Sequence, residues 1–393
     1  MSDISIYLKP FSESVFYAAG FNNKRLGHQS LMYLEKGSFP DYSSADMAII
    51  GVPDMRGYGL DAFPTNGPDQ IRSYLYKLYS PLDEVKICDL GNVVPGNEVS
   101  DTCFALTEIC THLLEKGIVP ILLGGTQDLT FPLYNAYENL GQIINIASID
   151  PTIDLGGEDD STDAESWVSK IILQQPSYLF NYTNIGYQSY GVDSRAVSLI
   201  KEMNFDAYRL GFVSDNLNEI EPMIRNVDIL SVDMCSVRQS DAPGAILPEP
   251  NGFYGEQLCQ IMRFAGMSDK LTSLGLFNYN PAEDQRGQTA HLMAQMIWYF
   301  IEGFYNRLDD FPTREKSNNY YVKYHVKVDG QEEELVFYKS KKSDRWWMEV
   351  ACPAHLVTKY ARHYIVPCSF SDYQVATTND IPERWWQVYQ KIM

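Results

Sequence analysis

The feature that most constrains this chain is a repeated alternation. From residue 47 onward, short β-branched or aliphatic runs take turns with helical patterns. Strands are predicted at 48–52, 85–90, 119–123, 143–149, 182–185, 207–210, 227–232 and 270–277. Helices are predicted at 69–78, 102–116, from about 130, 194–203, 254–266 and 289–306. Gly67-Pro68 opens the first of them, with proline in the first turn, where its missing N–H costs nothing. Apolar runs that alternate with helices pair as parallel strands covered on both sides. The expected fold class is therefore α/β, a doubly wound parallel sheet with helices on both faces.

After about residue 311 the texture changes. Residues 320–328 alternate, Asp329-Gly330 is a tight-turn dipeptide, and 334–338 alternate back, so a β-hairpin is expected. Residues 346–350 could add a third strand, and 353–363 and 382–392 read as helices with proline in the first turn. The chain thus divides into an α/β domain over 1–310 and an extension over 311–393. The extension is expected to pack on the main domain, because its many aromatics would be costly to expose.

Composition narrows the partners. A formal charge of −20 disfavours nucleic-acid phosphates and anionic membranes. No apolar run is long enough to span a bilayer, and the first twenty residues lack the basic and apolar regions of a signal peptide. Seven cysteines without a CxxC pair fit neither a disulfide framework nor a zinc finger, so a reducing cytoplasm is expected. There is no internal repeat.

Three strand ends carry the chemistry. ILLGGTQDLT (121–130) runs from a buried strand through two glycines to Thr126 and Gln127. IASIDPTIDLG places Asp150 and Asp154 around Thr152. LSVDMCSVRQSDAPGA places Asp233 and Cys235 two residues apart. Side chains two apart on an extended segment share a face, so each pair can aim at one centre. Taken singly, any of these is a solvated turn after a strand; three in one α/β chain point to a common site.

These motifs resemble those of the ureohydrolase superfamily (arginases, agmatinases and formimidoylglutamases), which carry GGDH, DAHxD and SxDxD. The third motif keeps the family spacing through Ser231, Asp233, Gln239, Pro243-Gly244 and Gly252. GVPDMRGYGLDAFPTNGPDQIR (51–72) and NYNPAEDQRGQTAHLMAQ (278–295) are similar to further family segments, and FNYTNIGYQSYG (180–191) to the formimidoylglutamase-like branch. The resemblance covers roughly residues 45–305 and implies the arginase-type fold. It also implies a pair of Mn²⁺ ions whose bridging hydroxide attacks a guanidinium or formimino carbon.

Carried over position by position, the family ligands survive as Asp150, Asp154 and Asp233 and are replaced at Gln127, Thr152 and Cys235. No histidine lies between His112 and His291, so no shift of alignment restores an imidazole; His28 and His291 are the only outside donors to consider. Asp150, Asp154 and Asp233 with Gln127 as a neutral oxygen donor would suit at most one Mn²⁺, Mg²⁺ or Ca²⁺. A full dimanganese pair is not expected. Cys235 has only Arg238 near it in sequence and reads as an inert buried thiol. Asn278 replaces the acidic residue of guanidinium-cleaving relatives, which argues against arginine and agmatine. Asn278 and Asp284 are substrate-pocket candidates, although Asp284 with Asn280 and Pro281 also fits capping and turn geometry. The loop GGEDDSTDAESW reads as solvated and acidic.

Two functions follow. One is a ureohydrolase-fold protein that has lost its dimanganese centre and acts in binding, scaffolding or regulation, with the extension as the surface for a protein partner. The other is a formimidoylglutamase-like hydrolase using one metal or an atypical pair. No catalytic residue is assigned by the sequence, and a homo-oligomer is compatible with either.

Overall fold

The computed structural model describes residues 3–17, 22–59, 65–156, 163–313, 319–330 and 333–393. Ten strands form one sheet: β1 (Leu8–Lys9), β2 (Leu31–Met32), β3 (Met47–Gly51), β4 (Ile87–Val93), β5 (Val119–Leu123), β6 (Ile144–Ile149), β7 (Leu179–Tyr187), β8 (Asp206–Arg209), β9 (Ile229–Asp233) and β10 (Ser273–Phe277). Their order is β1-β4-β3-β5-β10-β9-β6-β7-β8, with β2 also on β4. All pairings are parallel except β1 on β4. The short β1 and β2 near the N-terminus were not expected, being two residues each and too brief for any periodicity.

Alternation along each strand divides the core. Ile49, Ile121 and Leu123 face one apolar cluster, while Ile50 and Leu122 face the other. Helices Gly67–Leu75, Gly255–Gly266 and Gln288–Tyr305 contribute to the first, and Val99–Glu115 and Thr130–Asn139 to the second. Both faces are thus dry, which is why the strands read as continuous apolar runs.

The extension is a second, antiparallel sheet of β11 (Tyr321–Val326), β12 (Leu335–Ser340), β13 (Trp346–Glu349) and β14 (Ile365–Cys368), in that order. Helices Phe370–Thr377 and Glu383–Ile392 follow. Three expectations change here. The β11–β12 hairpin pairs Val326 with Leu335, so the connection spans 327–334 and is not a two-residue turn at Asp329-Gly330; positions 331–332 lie outside the described residues. Residues 353–363 form successive turns instead of a helix. Tertiary bonds override helix propensity there: Arg362 pairs with Asp228, and the His363 ring contacts the Ile143 carbonyl through Nε2 at 3.2 Å. The fourth strand β14 and helix Phe370–Thr377 were not anticipated.

The extension is tied to the main sheet by buried groups. The Arg225 guanidinium stacks 4.3 Å from the centroid of Trp347 and donates to the carbonyl of Trp346 at 3.2 Å. Lys270 Nζ donates to the carbonyl of Arg362 at 3.0 Å. Arg345 pairs with Glu221 at 3.2 Å. Phe180 of β7 belongs to the extension's own apolar cluster.

Candidate functional site

Strands β5, β10, β9 and β6 are neighbours and parallel, so their carboxyl ends open on one crevice. Residues as distant in sequence as Gln127, Asp150, Asp233 and Asn278 therefore stand at adjacent strand ends. After β5 the chain must turn sharply, and Gly124 and Gly125 both have φ near +80° (82° and 77°). A Cβ on Gly125 would fall 2.3 Å from Leu129, so the paired glycines are required by the turn. Gln127 then opens a 3₁₀ turn, Gln127–Leu129, that runs into helix Thr130–Asn139.

The carboxylates are held by the protein's own donors. Asp150 is fully buried, and its Oδ1 accepts from the Thr152 amide at 2.7 Å and the Thr152 hydroxyl at 2.9 Å. The same hydroxyl lies 2.9 Å from Asp154 Oδ1. One hydroxyl has one proton, so both contacts are hydrogen bonds only when one of the two carboxyls is itself protonated. Asp154 Oδ2 accepts from the Trp167 indole at 2.8 Å, and Asp233 Oδ1 from the Cys235 amide at 2.7 Å. Gln127 donates through Nε2 to Ser231 at 3.2 Å, and Ser231 contacts Thr130 at 2.7 Å. Asn278 accepts from the Gln127 amide at 3.1 Å and faces Tyr58 OH at 3.4 Å. Its φ of 64° is one that asparagine tolerates better than most residues.

Electrostatics agree with the proton count. Burial, then the charge of Asp233, pushes the Asp150 carboxyl up to about 7. Burial pushes Asp233 up to about 7 as well, against the Cys235 amide, which favours its charge. Burial and Asp150 hold Asp154 well above the usual carboxylate range. The arginines near these motifs in sequence are committed elsewhere: Arg56 to Asp54 at 2.6 Å and Arg238 to Asp241 at 3.0 Å. Among the described residues no ion pair joins a cation to Asp150, Asp154 or Asp233, so burial and mutual repulsion favour their protonated forms. Burial and Asp233 raise the Cys235 thiol well above its ordinary value, and its sulfur accepts from the Leu247 amide at 3.4 Å. It is a neutral thiol, and Arg238 stacks on Tyr254 instead of activating it.

The expected residues divide in two. Gln127, Asp150, Thr152, Asp154, Asp233, Cys235 and Asn278 converge at the strand ends. Asp284 instead caps helix Gln288–Tyr305, accepting from the amides of Thr289 (3.2 Å) and Ala290 (3.0 Å) and from Tyr279 OH (3.0 Å). His291 stacks on Tyr74 at 5.0 Å. The acidic stretch 157–162 lies outside the described residues, as do 60–64 of the 51–72 segment; Trp167, at the end of the loop expected to be solvated, is fully buried. Sequence reasoning missed Trp167 and Tyr58. Tyr58 OH lies 3.4 Å from Asn278 Nδ2 at the site's edge, and burial, then the neighbouring acidic groups, raises its hydroxyl above the ordinary tyrosine value. The bulky indole ending a polar loop was the one legible signal for Trp167; Tyr58 had none.

A pair of metal ions does not fit this donor set. Both family imidazoles are replaced, by Gln127 and Thr152, and Thr152, Trp167 and the Cys235 amide make five contacts to four of the carboxylate oxygens. Among the described residues no three His, Cys, Asp or Glu side chains are arranged to hold a metal. Two buried acceptors at the strand ends have no partner, Asp150 Oδ2 and Gln127 Oε1.

A mostly parallel α/β sheet with this acid-lined strand-end crevice defines a ureohydrolase-type protein, one lacking an intact metal-coordinating cluster among its described residues. The sequence profile of the arginase family matches residues 45–302, and the chain belongs to that family. It is 24% identical to the formimidoylglutamase of Staphylococcus aureus strain MSSA476 over 294 residues, 70% of this chain and 90% of that protein. The fold matches the formiminoglutamase of Trypanosoma cruzi solved with Mn²⁺, at a TM-score of 0.62 and 18% identity over 69% of this chain and 97% of that one. It also matches the formimidoylglutamase of Bacillus subtilis, at 0.61 and 17% identity over 70% and 96%.

Proposed function

We propose that this chain is an arginase-family protein without the dimanganese hydrolase centre, acting in binding, scaffolding or regulation. Residues 1–310 form the family domain in this reading, and 311–393 an added unit that offers a surface to a protein partner. The observation that carries it is the Thr152 hydroxyl held between Asp150 and Asp154, donating to one carboxyl and accepting from the other where the family motif carries an imidazole. Gln127 and Thr152 stand where the family motifs carry imidazoles, and the protein's own groups engage Asp150 Oδ1, Asp233 Oδ1 and both oxygens of Asp154. A cytoplasmic setting is part of the proposal and is supported by the buried, unlinked thiols of Cys88, Cys110, Cys235, Cys259 and Cys368. Among the described residues no helix is long and apolar enough to cross a membrane.

The test is metal content of the purified chain after Mn²⁺ loading, with turnover of formiminoglutamate in the same sample. Fewer than two bound ions and no turnover are expected. Two tightly held ions with turnover would overturn the proposal. A second reading, one hard cation, is favoured by the unpartnered Asp150 Oδ2 and Gln127 Oε1. It predicts one ion per chain, lost in Gln127→Leu.

A further inference from the structure

A groove of about 440 Å³ runs between the extension sheet and the C-terminal helix Glu383–Ile392. Val336 and Glu349 pair across β12 and β13 and line it from the sheet. Trp385 and Tyr389, one turn apart, line it from the helix, with ring centroids 5.0 Å apart and planes 12° from parallel. Trp385 is pinned by its indole N–H, which donates to the Glu349 carbonyl at 2.9 Å. Glu333 and Glu334 complete the rim.

Part of this helix is left exposed by the described residues. Trp386, Tyr389 and Met393 recur at i, i+3 and i+7, with Trp386 43% and Met393 68% exposed. Trp386 stacks on Tyr389 at 5.6 Å, extending the aromatic wall to the surface. Elsewhere in the extension the chain's own cations lie over rings: Lys323 over the half-buried Tyr338 at 5.0 Å, Lys339 over the buried Trp346 at 5.8 Å and Lys342 over the exposed Tyr320 at 5.5 Å. Among the described residues no cation lies over Trp385, Trp386 or Tyr389, although three carboxylates gather beside them. Glu334 meets the His325 ring at 3.4 Å, and Glu349 accepts from Tyr338 OH. An aromatic wall ending in the exposed Trp386 ring, beside an acidic rim, is complementary to a cation on an aliphatic stem. Phosphate-bearing partners would be repelled by the same carboxylates.

We infer that this groove docks a lysine or arginine side chain from an extended segment of a partner protein. The stem lies along Val336 and Tyr389, and the charged head reaches the ring faces and the carboxylates of Glu349 and Glu333. The inference is independent of whether the strand-end site turns over a substrate.

The test uses the full chain and two soluble Gly/Ser peptides of about twelve residues, one with three spaced arginines and one with glutamines in their place, titrated calorimetrically in about 0.15 M salt, where long-range attraction is screened. The arginine peptide is expected to bind and the glutamine peptide not. The double variant Glu333→Gln/Glu349→Gln should weaken binding at least about tenfold, and Tyr389→Leu at least about threefold. Glu256→Gln, on the distant helix Gly255–Gly266, should leave it unchanged. Equal loss in Glu256→Gln would reduce the binding to diffuse attraction to a chain of charge −20 and overturn the assignment. Unchanged binding in both groove variants would also overturn it. Unaltered melting temperatures establish that the variants are folded; if one melts lower, the exposed single change Glu333→Gln decides, with at least about a threefold loss expected.

Discussion

At the scale of single residues, Thr152 stands where the family motif carries an imidazole ligand, and its hydroxyl instead bridges two carboxyls, Asp150 and Asp154. Thr152→Val keeps the shape and removes the bridging hydroxyl. An expected loss of about 1–3 kcal/mol in unfolding free energy follows, read from urea melts at neutral pH. The carboxyls also make stability depend on pH. Asp150 and Asp233 rise to about 7 in the folded chain, from an ordinary value near 3.8. Between those values the folded state binds protons that the unfolded state has released. Their contribution is therefore fully present below about pH 4, declines as pH rises, and is lost above about 7, at up to about 1.4 kcal/mol per pH unit for each proton. Urea midpoints should fall between about pH 5 and pH 7.5, and Asp150→Asn should flatten that fall. An equal slope in Asp150→Asn would remove Asp150 from the account. The identities at 127, 152 and 235 were legible because the motif spacing survived around them. Trp167 was not, because nothing in a polar loop states which carboxylate an indole will reach.

At the scale of elements, the strand–helix alternation was readable wherever a segment buried one continuous apolar run. Strand β5 was predicted at its observed limits, and helix Gln288–Tyr305 to within a residue at each end. Residues 353–363 failed the same reasoning because their backbone follows Arg362 to Asp228 and His363 to Ile143, contacts no local pattern encodes. Asp284 shows the converse. It lies four residues before the helix it caps, and its two amide contacts settle that N-terminus. Asp284→Ala is expected to lower stability by about 1–2 kcal/mol, with Asp284→Asn recovering only part of it because its one amide oxygen can accept from one of the two backbone amides, measured by thermal or urea unfolding. A change in the Tyr58 or Gln127 environment without loss of stability would contradict that reading.

At the scale of the whole molecule, the extension is bound to the main sheet by groups that cannot be left bare. Arg225 is 5% exposed, stacked on Trp347 and donating to backbone carbonyls of β13 and β14. Arg225→Ala should cost about 3–5 kcal/mol, because Glu221 and two buried carbonyls lose a partner. Ending the chain at residue 310 should give an insoluble product, checked by the soluble fraction on expression; a soluble, cooperatively melting fragment would show that the family domain stands alone. The sequence alone carried the α/β class, the resemblance to the arginase-type fold and the replacement of three ligand positions, because burial periodicity and motif spacing are local and survive substitution; the order of strands came from the fold. Only the tertiary structure decided what the replaced site became. The Thr152 contacts with Asp150 and Asp154 lie within one short loop, but strand ends had to be brought side by side before Gln127 could meet Ser231 and Asn278, 104 and 151 residues away. Hydrogen bonds form between whatever the fold makes adjacent, and adjacency across a parallel sheet is set by chain crossovers, not by distance along the chain.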